Sequence, residues 1–120
     1  MRAKWARAAE RAAFDEVREK LGNRWALNGV AAVLRALSRG QVRTLLVDAD
    51  ASRPGFRCAE TGRLALVERD CRGEGEPIPV LDVIDDAIEE ALRQRVYVNV
   101  VYEPAAREAI DGLAALLRFR

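Results

Sequence analysis

Cys58 and Cys71 are the two cysteines of the sequence, and their spacing from neighbouring residues is the clearest chemical pattern in the chain. Thr61 follows Cys58 after two residues, Glu74 follows Cys71 after two residues, and a glycine comes next in both cases. Zinc ribbons use two such knuckles to place four thiolates around one ion, but here two thiolates and one carboxylate make a poor site. We therefore predict a ribbon-shaped insert that has lost its metal, or a coincidental pattern, and no cofactor.

The two thiols could instead lie across a hairpin and oxidise. Two cysteines do not make the disulfide scaffold of a small secreted protein. The N-terminal residues have no apolar signal-peptide core, and no apolar run approaches the length that a membrane span needs. We therefore expect a soluble, cytoplasmic chain without membrane contact, in which oxidation of the cysteines is a secondary interpretation.

Arginines cluster in the middle of the sequence, where acidic residues are sparse. Guanidinium groups that converge could bind phosphate, so contact with structured RNA or the ribosome is one interpretation. The formal net charge is only +1, which provides no long-range attraction for nucleic acid, and ordinary surface arginines are the alternative. The candidate contacts are Arg35, Arg39, Arg43, Arg53 and Arg57.

Asp48 and Asp50 follow a predicted strand, where carboxylates can hold the metal of a hydrolase or nuclease. The sequence has no histidine, which removes the usual general base and the commonest metal ligand. No further carboxylate lies at a sequence spacing typical of a metal-binding or catalytic motif, so we predict no catalytic site. A further acidic group is interpreted as the solvated face of an amphipathic helix, with a surface for a basic partner as the alternative: Asp82, Asp85, Asp86, Glu89 and Glu90.

Hydrophobic periodicity predicts the elements that position these groups. Apolar residues recur at helical spacing from Val30 to Leu37, with Asn28 as the N-cap and Gly40 as the helix end. Gly40-Gln41 then forms a turn into an interior strand over 42–47. The other predicted elements are a strand over 63–68, a helix over 81–94 with Leu81 and Leu92 in its buried stripe, a strand over 96–102, a short helix over 104–110 and a closing strand over 113–119.

The length of 120 residues fits one folded domain. The order of elements predicts an α/β fold, a three-layer α/β/α sandwich with a central mixed sheet and a small ribbon-like insert. We assign residues 25–120 to this sandwich and residues 1–24 to an N-terminal helix, a remnant of or linker from an upstream domain. The apolar stripe of that helix needs cover from the domain or from a second copy in a homodimer. Trp5 and Trp25 are predicted core or interface anchors.

Three stretches of the sequence form an ordered pattern: Gly29-Val30 to Ala36-Leu37, Gly40-x-Val42-x-Thr44-Leu45-Leu46-Val47, and Asp111-Gly112-Leu113-Ala114-Ala115-Leu116-Leu117-Arg118-Phe119. Together they resemble the C-terminal domain of archaeal and eukaryotic-type class 1 peptide chain release factors, of Pelota-type ribosome-rescue proteins and, most closely, of the bacterial homologues of this family. The resemblance covers residues 22–119. The knuckles lie where many relatives carry a cysteine-rich minidomain, and Asp111 replaces a glycine of the family's terminal signature.

The resemblance implies a fold similar to that of ribosomal proteins that bind kink-turn RNA. In full-length factors such a domain docks a translational GTPase near the ribosomal stalk base and does not hydrolyse the ester bond. It therefore implies a non-catalytic interaction domain that docks to the ribosome or to a translational GTPase. The alternative is a kink-turn-like RNA-binding module, with Asn28, Arg35 and Arg39 near its binding edge.

Overall fold

The structure of the protein is a computed structural model, and it describes residues 25–119. The predicted N-terminal helix within residues 1–24, Trp5 and any homodimer contact through that helix lie outside the described residues. Within them the strands are β1 (Ala26–Asn28), β2 (Val42–Asp48), β3 (Gly55–Cys58), β4 (Leu64–Ala65), β5 (Pro77–Val80), β6 (Tyr97–Val101) and β7 (Leu113–Leu117). The helices are α1 (Val30–Ser38), α2 (Val83–Arg93) and α3 (Pro104–Ala109), and a 3₁₀ turn spans Glu68–Cys71.

The main sheet has four strands in the order β1-β7-β2-β6. β2 runs parallel to β6 and antiparallel to β7, so the sheet is mixed, as predicted. Leu45 in the middle of β2 lies opposite Val98 on one side and Ala115 on the other. β2 is thus an interior strand, and its position at the centre of the domain follows from its apolar side chains on both faces.

Helices cover both faces of this sheet. On one face, Leu37 of α1 and Ala87 of α2 pack with Leu45 in the larger of the two sheet-facing core clusters. On the other face, Ala106 of α3 packs with Leu46. Because neighbouring residues of a strand point to opposite faces, Leu45 and Leu46 anchor the two layers from adjacent positions. The predicted three-layer α/β/α sandwich is therefore confirmed.

A second sheet of three strands, in the order β4-β3-β5, forms the ribbon. The prediction missed β3 and β5, and the residues just before the predicted helix over 81–94 include Pro77 and Pro79, which are unusual in a central strand. Both prolines lie instead in β5, which is an edge strand, and an edge strand tolerates proline. The strand predicted over 63–68 is cut to Leu64–Ala65, because the chain turns into the 3₁₀ segment three residues later.

Two features of the helices also differ from prediction. Asn28 is not an N-cap: it lies in β1, its side-chain amide donates to the carbonyl of Ala109 at 2.9 Å, and its side-chain oxygen accepts from the Asp111 N–H at 2.9 Å. Leu81 and Leu92 are not buried, with 96% and 60% of their surfaces exposed. α2 begins after Leu81, which leaves that residue off the helix.

Asp82 caps α2 instead, because its side chain accepts from the Ile84 N–H at 3.0 Å. Trp25 precedes β1 and is 39% exposed, so it is not a core anchor, and the alternative role of an interface anchor stays a prediction.

Candidate functional site: the ribbon and the surfaces around it

The ribbon brings Cys58 and Cys71 together in a disulfide bond, with their Cα atoms 5.1 Å apart. Both cysteines are buried and pack with Ala65 and Phe56 in a small core of their own. The interpretation that the two thiols lie close enough to oxidise is therefore the one that the structure supports, although the sequence made it secondary. In this state neither sulfur is a thiolate, so neither can serve as a zinc ligand.

The other two knuckle positions, Thr61 and Glu74, are also joined directly. The Thr61 hydroxyl donates to Glu74 Oε1 at 2.8 Å. Arg63 donates to the same carboxylate from two nitrogens, Nε at 2.9 Å from Oε1 and Nη2 at 2.6 Å from Oε2. The hydrogen bond from Arg63, followed by that from Thr61, lowers the pKa of Glu74 to about 2. Glu74 is thus a carboxylate locked in an ion pair rather than an open metal ligand.

Sequence reasoning missed Arg63. Its guanidinium also donates to the backbone carbonyl of Asp70, so one side chain connects the first knuckle to the 3₁₀ turn and to the second knuckle. The hydrogen bond to Glu74 raises the pKa of Arg63. The available signal was its position two residues after Thr61, at the first residue of the strand predicted over 63–68. A disulfide and an arginine–carboxylate pair therefore link the two knuckles that a metal ion links in a zinc ribbon.

A cleft of about 420 Å³ lies between the ribbon, α1 and α2, with Leu34, Leu37 and Leu64 among its lining residues. Three arginines reach it, and each is paired with a carboxylate. Because these pairs neutralise one another, the cleft is not an anion site. The pairs are Arg57 with Asp86 at 3.3 Å, Arg63 with Glu74 at 2.6 Å, and Arg93 with Glu90 at 2.7 Å.

The five candidate phosphate-binding arginines do not converge. Arg35 and Arg39 are exposed at the C-terminal end of α1, and Arg43 is exposed at the start of β2. Arg53 lies beyond the other end of β2, and Arg57 lies in the ribbon. A seven-residue strand spans about 23 Å, so the two ends of β2 cannot share one phosphate. Contact with RNA stays a prediction for the group at the start of β2.

Asp48 and Asp50 are held by an arginine of α3. Arg107 donates from Nε to Asp48 at 2.8 Å, and its Nη2 lies 2.6 Å from Asp50. The hydrogen bond to Asp48 is the largest cause of a raised pKa of Arg107, and the charge of Asp50 raises it further. In the part of the chain that the structure describes, no group of three or more acidic, cysteine or histidine side chains could hold a metal ion. The arrangement fixes α3 to the end of β2.

The predicted acidic face of α2 is divided among three roles. Asp82 caps the helix, and Asp86 and Glu90 pair with arginines at the cleft. Asp85 and Glu89 are exposed on the outer side, which agrees with a solvated face. No helix among the described residues combines the length and the apolar character needed to cross a membrane.

No protein-family profile matches the sequence, and comparison with curated proteins also finds no match. Among solved structures, the C-terminal domain of a peptide chain release factor from Methanosarcina mazei is similar, with a TM-score of 0.68 and 16% identity over 98% of this chain and 86% of that one. Pelota from Archaeoglobus fulgidus is similar over 98% of this chain and 32% of its own, with a TM-score of 0.65 and 19% identity. An archaeal translation termination factor has a TM-score of 0.60 and 22% identity over 93% of this chain and 26% of its own.

The fold is therefore that of the C-terminal domain of release factors and Pelota, as the sequence resemblance predicted. The chain spans only 32% of the Pelota chain and 26% of the archaeal termination factor. At these identities the likeness concerns the fold.

Proposed function

We propose that this chain is a non-catalytic docking domain that works with the translation machinery in peptide release or ribosome rescue. The observation that carries the proposal is the fold likeness over 98% of the chain to the C-terminal domain of a release factor. The same fold forms one part of longer translation proteins, since the chain covers 32% of Pelota. A domain of this kind acts through its surface, and the partners that we propose are the ribosome and a translational GTPase.

The use of charged groups supports a non-catalytic role. Asp48 and Glu74, the acidic residues best placed for chemistry by sequence, are each bound by an arginine. Catalytic acids and bases need a pKa near the working pH, whereas the pKa of Glu74 is lowered to about 2. These carboxylates therefore stabilise the ribbon and the contact between α3 and β2.

The proposal is tested with the full chain, purified ribosomes and purified translational GTPases from the source organism. We expect the chain to sediment with ribosomes or to bind a GTPase in a titration followed by fluorescence anisotropy. The matched control is Arg35→Glu combined with Arg39→Glu, which we expect to leave GTPase binding unchanged. Absence of binding to both ribosomes and GTPases, with the chain folded by circular dichroism, would overturn the proposal.

A kink-turn-like RNA-binding module is the second candidate. Arg35 and Arg39 are exposed four residues apart at the end of α1, so they present two positive charges on one side. Asn28 does not support this function, because both ends of its amide bind groups near α3. Salt-sensitive binding of isolated kink-turn RNA that is lost in the Arg35→Glu, Arg39→Glu variant would establish this candidate over protein docking.

A further inference from the structure

The outer edge of β6 is an unpaired sheet edge within the described residues, because β6 ends the order β1-β7-β2-β6. The Val101 carbonyl accepts from the Ala49 N–H at 2.9 Å, so the backbone groups of Val101 point towards β2. Successive residues of a strand direct their backbone groups to opposite edges. The N–H and C=O groups of Val98 and Val100 therefore point away from the sheet, where a further strand could bind them.

This edge lacks the features that block strand addition at the other edges. β1 has three residues, β4 has two, and β5 contains Pro77 and Pro79. Short strands, prolines and charged residues are the usual means by which proteins protect a sheet edge. The residues from Val96 to Tyr102 include no proline, glycine or charged residue. Among the described strands, β6 is therefore the edge that is open to pairing with a further strand.

An apolar helix side lies above the same edge. The side of α2 with Asp86 and Glu90 faces the ribbon and α1, because Asp86 contacts Arg57 and Glu90 lines the cleft. α1 packs over β1, β7 and β2, whereas α2 packs over β2 and β6, so the side of α2 turned away from α1 is the one nearest the β6 edge. Ile88 and Leu92, one turn apart, lie on that side. Ile88 packs partly against the core, and Leu92 is 60% exposed. A strand added to β6 would cover both side chains.

The charges beside this surface define the occupant. Asp85, Glu89 and Leu92 are exposed at i, i+4 and i+7, so two carboxylates lie on the same stripe of α2 as the apolar side chain, on its N-terminal side. A second copy that paired antiparallel through β6 would place its own α2 on the same face of the joined sheet. Its acidic stripe would then approach this one, and like charges would oppose the contact.

We propose that the β6 edge binds an extended segment of a partner protein as a fifth strand, with apolar and basic side chains on its α2-facing side. The inference rests on the proposed docking function and specifies where and how a protein partner binds. Backbone hydrogen bonds to Val98 and Val100 provide affinity, and the contacts with Leu92, Asp85 and Glu89 select the side chains. Lysine suits this surface, because its aliphatic stem covers apolar groups while its ammonium reaches the carboxylates.

The test uses the full chain and one synthetic nine-residue peptide. This peptide has threonine at the odd positions, and valine and lysine share the even positions. A second peptide has glutamate in place of lysine. We expect the lysine peptide to bind at least about tenfold more tightly than the glutamate peptide. On saturation with the lysine peptide, amide exchange of Val98 and Val100, measured by NMR, should slow by at least about tenfold. Equal affinity for the two peptides, or binding without this protection, would overturn the proposal.

Two variants and a matched control for each test whether the peptide binds at this edge. Val100→Pro removes an outward N–H and should abolish binding, whereas Val100→Thr keeps the N–H and should bind normally. Asp85→Lys combined with Glu89→Lys should reverse the preference towards the glutamate peptide, and Glu68→Lys, an exposed acid on the 3₁₀ turn, should not. Thermal melting of each variant identifies any loss of fold.

Two results separate this inference from the proposed function. Binding of ribosomes or a GTPase that survives in a folded Val100→Pro variant overturns the β6 site and leaves the docking function standing. Peptide binding at β6 by a chain that binds neither ribosomes nor GTPases supports the site and overturns the translation role. Self-association through Val98 and Val100 without peptide would show that a second copy is the occupant, which also overturns the proposal.

Discussion

Arg63 binds Glu74 with two of its nitrogens, and this ion pair joins the two turns that a zinc ion joins in a zinc ribbon. The Cys58–Cys71 disulfide makes the second link between the same turns. A covalent link and an ionic link thus occupy the four positions where a zinc ribbon has its metal ligands. This relationship makes the ribbon sensitive to acid and to reducing agents.

Acid should weaken the ribbon through Glu74. Its pKa falls from 4.5 to about 2 on folding, so the folded state binds a proton less readily than the unfolded state. The stabilisation is complete above about pH 5 and is lost as the pH falls through 4.5 towards 2. We expect the urea midpoint of Glu74→Gln to depend less on pH than that of the parent chain over this range.

Glu76→Gln, at an exposed acid two residues away, is the matched control and should keep the parent pH dependence. Parallel acid profiles for the parent and Glu74→Gln would contradict the assignment of Glu74 as the ribbon's main acid-sensitive group.

Reduction should destabilise the ribbon more than any other region. The disulfide closes a loop with a sequence separation of 13 residues, for which the loss of chain entropy in the unfolded state corresponds to about 3 kcal/mol. We expect dithiothreitol to lower the free energy of unfolding by this order and to increase hydrogen exchange first in β3 and β5. Cys58→Ser combined with Cys71→Ser should show the lowered stability without further response to dithiothreitol. An unchanged urea midpoint on full reduction would refute the prediction.

Three of the four strands of the main sheet and its helices were predictable because their patterns are local, whereas the three-residue strand β1 was missed. The apolar residues on both faces of β2 predict an interior strand. The apolar stripe at helical spacing, which ends before Gly40, predicts α1. The three-stranded sheet of the ribbon was not predictable, because β3 and β5 depend on pairing between residues that are distant in sequence, such as Phe56 with Pro79. Neither segment carries a period of its own that would predict a strand.

The side chains of the ribbon were harder to predict than its spacing. Sequence identified all four knuckle positions, but it could not place Arg63 against Glu74 across 11 residues. The five arginines failed to converge for the same kind of reason: closeness in sequence says little about which end of a strand each residue occupies. Arg43 and Arg53 are ten residues apart but lie at opposite ends of β2.

Leu46 and Leu92 should respond very differently to truncation. Leu46 is fully buried against α3, so Leu46→Ala should leave a cavity and lower the free energy of unfolding by about 2–5 kcal/mol. Leu92 was predicted in the buried stripe of its helix but is 60% exposed, so Leu92→Ala should change stability by less than about 0.5 kcal/mol. Urea unfolding of both variants measures the difference. A cost at Leu92 comparable to that at Leu46 would place this side chain in the core.

Gly55 allows the ribbon to pack against the main sheet's helices. A Cβ atom at this position would lie 2.6 Å from the Ala65 carbonyl oxygen and 3.0 Å from the Val83 Cβ. Because the first contact is with backbone, it cannot be relieved by a side-chain rotation, and β3 would have to move away from β4 or α2. We expect Gly55→Ala to lower the free energy of unfolding by about 1–3 kcal/mol. Pro54→Ala, at the exposed neighbouring position, should cost less, and a Gly55→Ala variant as stable as the parent would mean that β3 and β4 are not packed as closely as described.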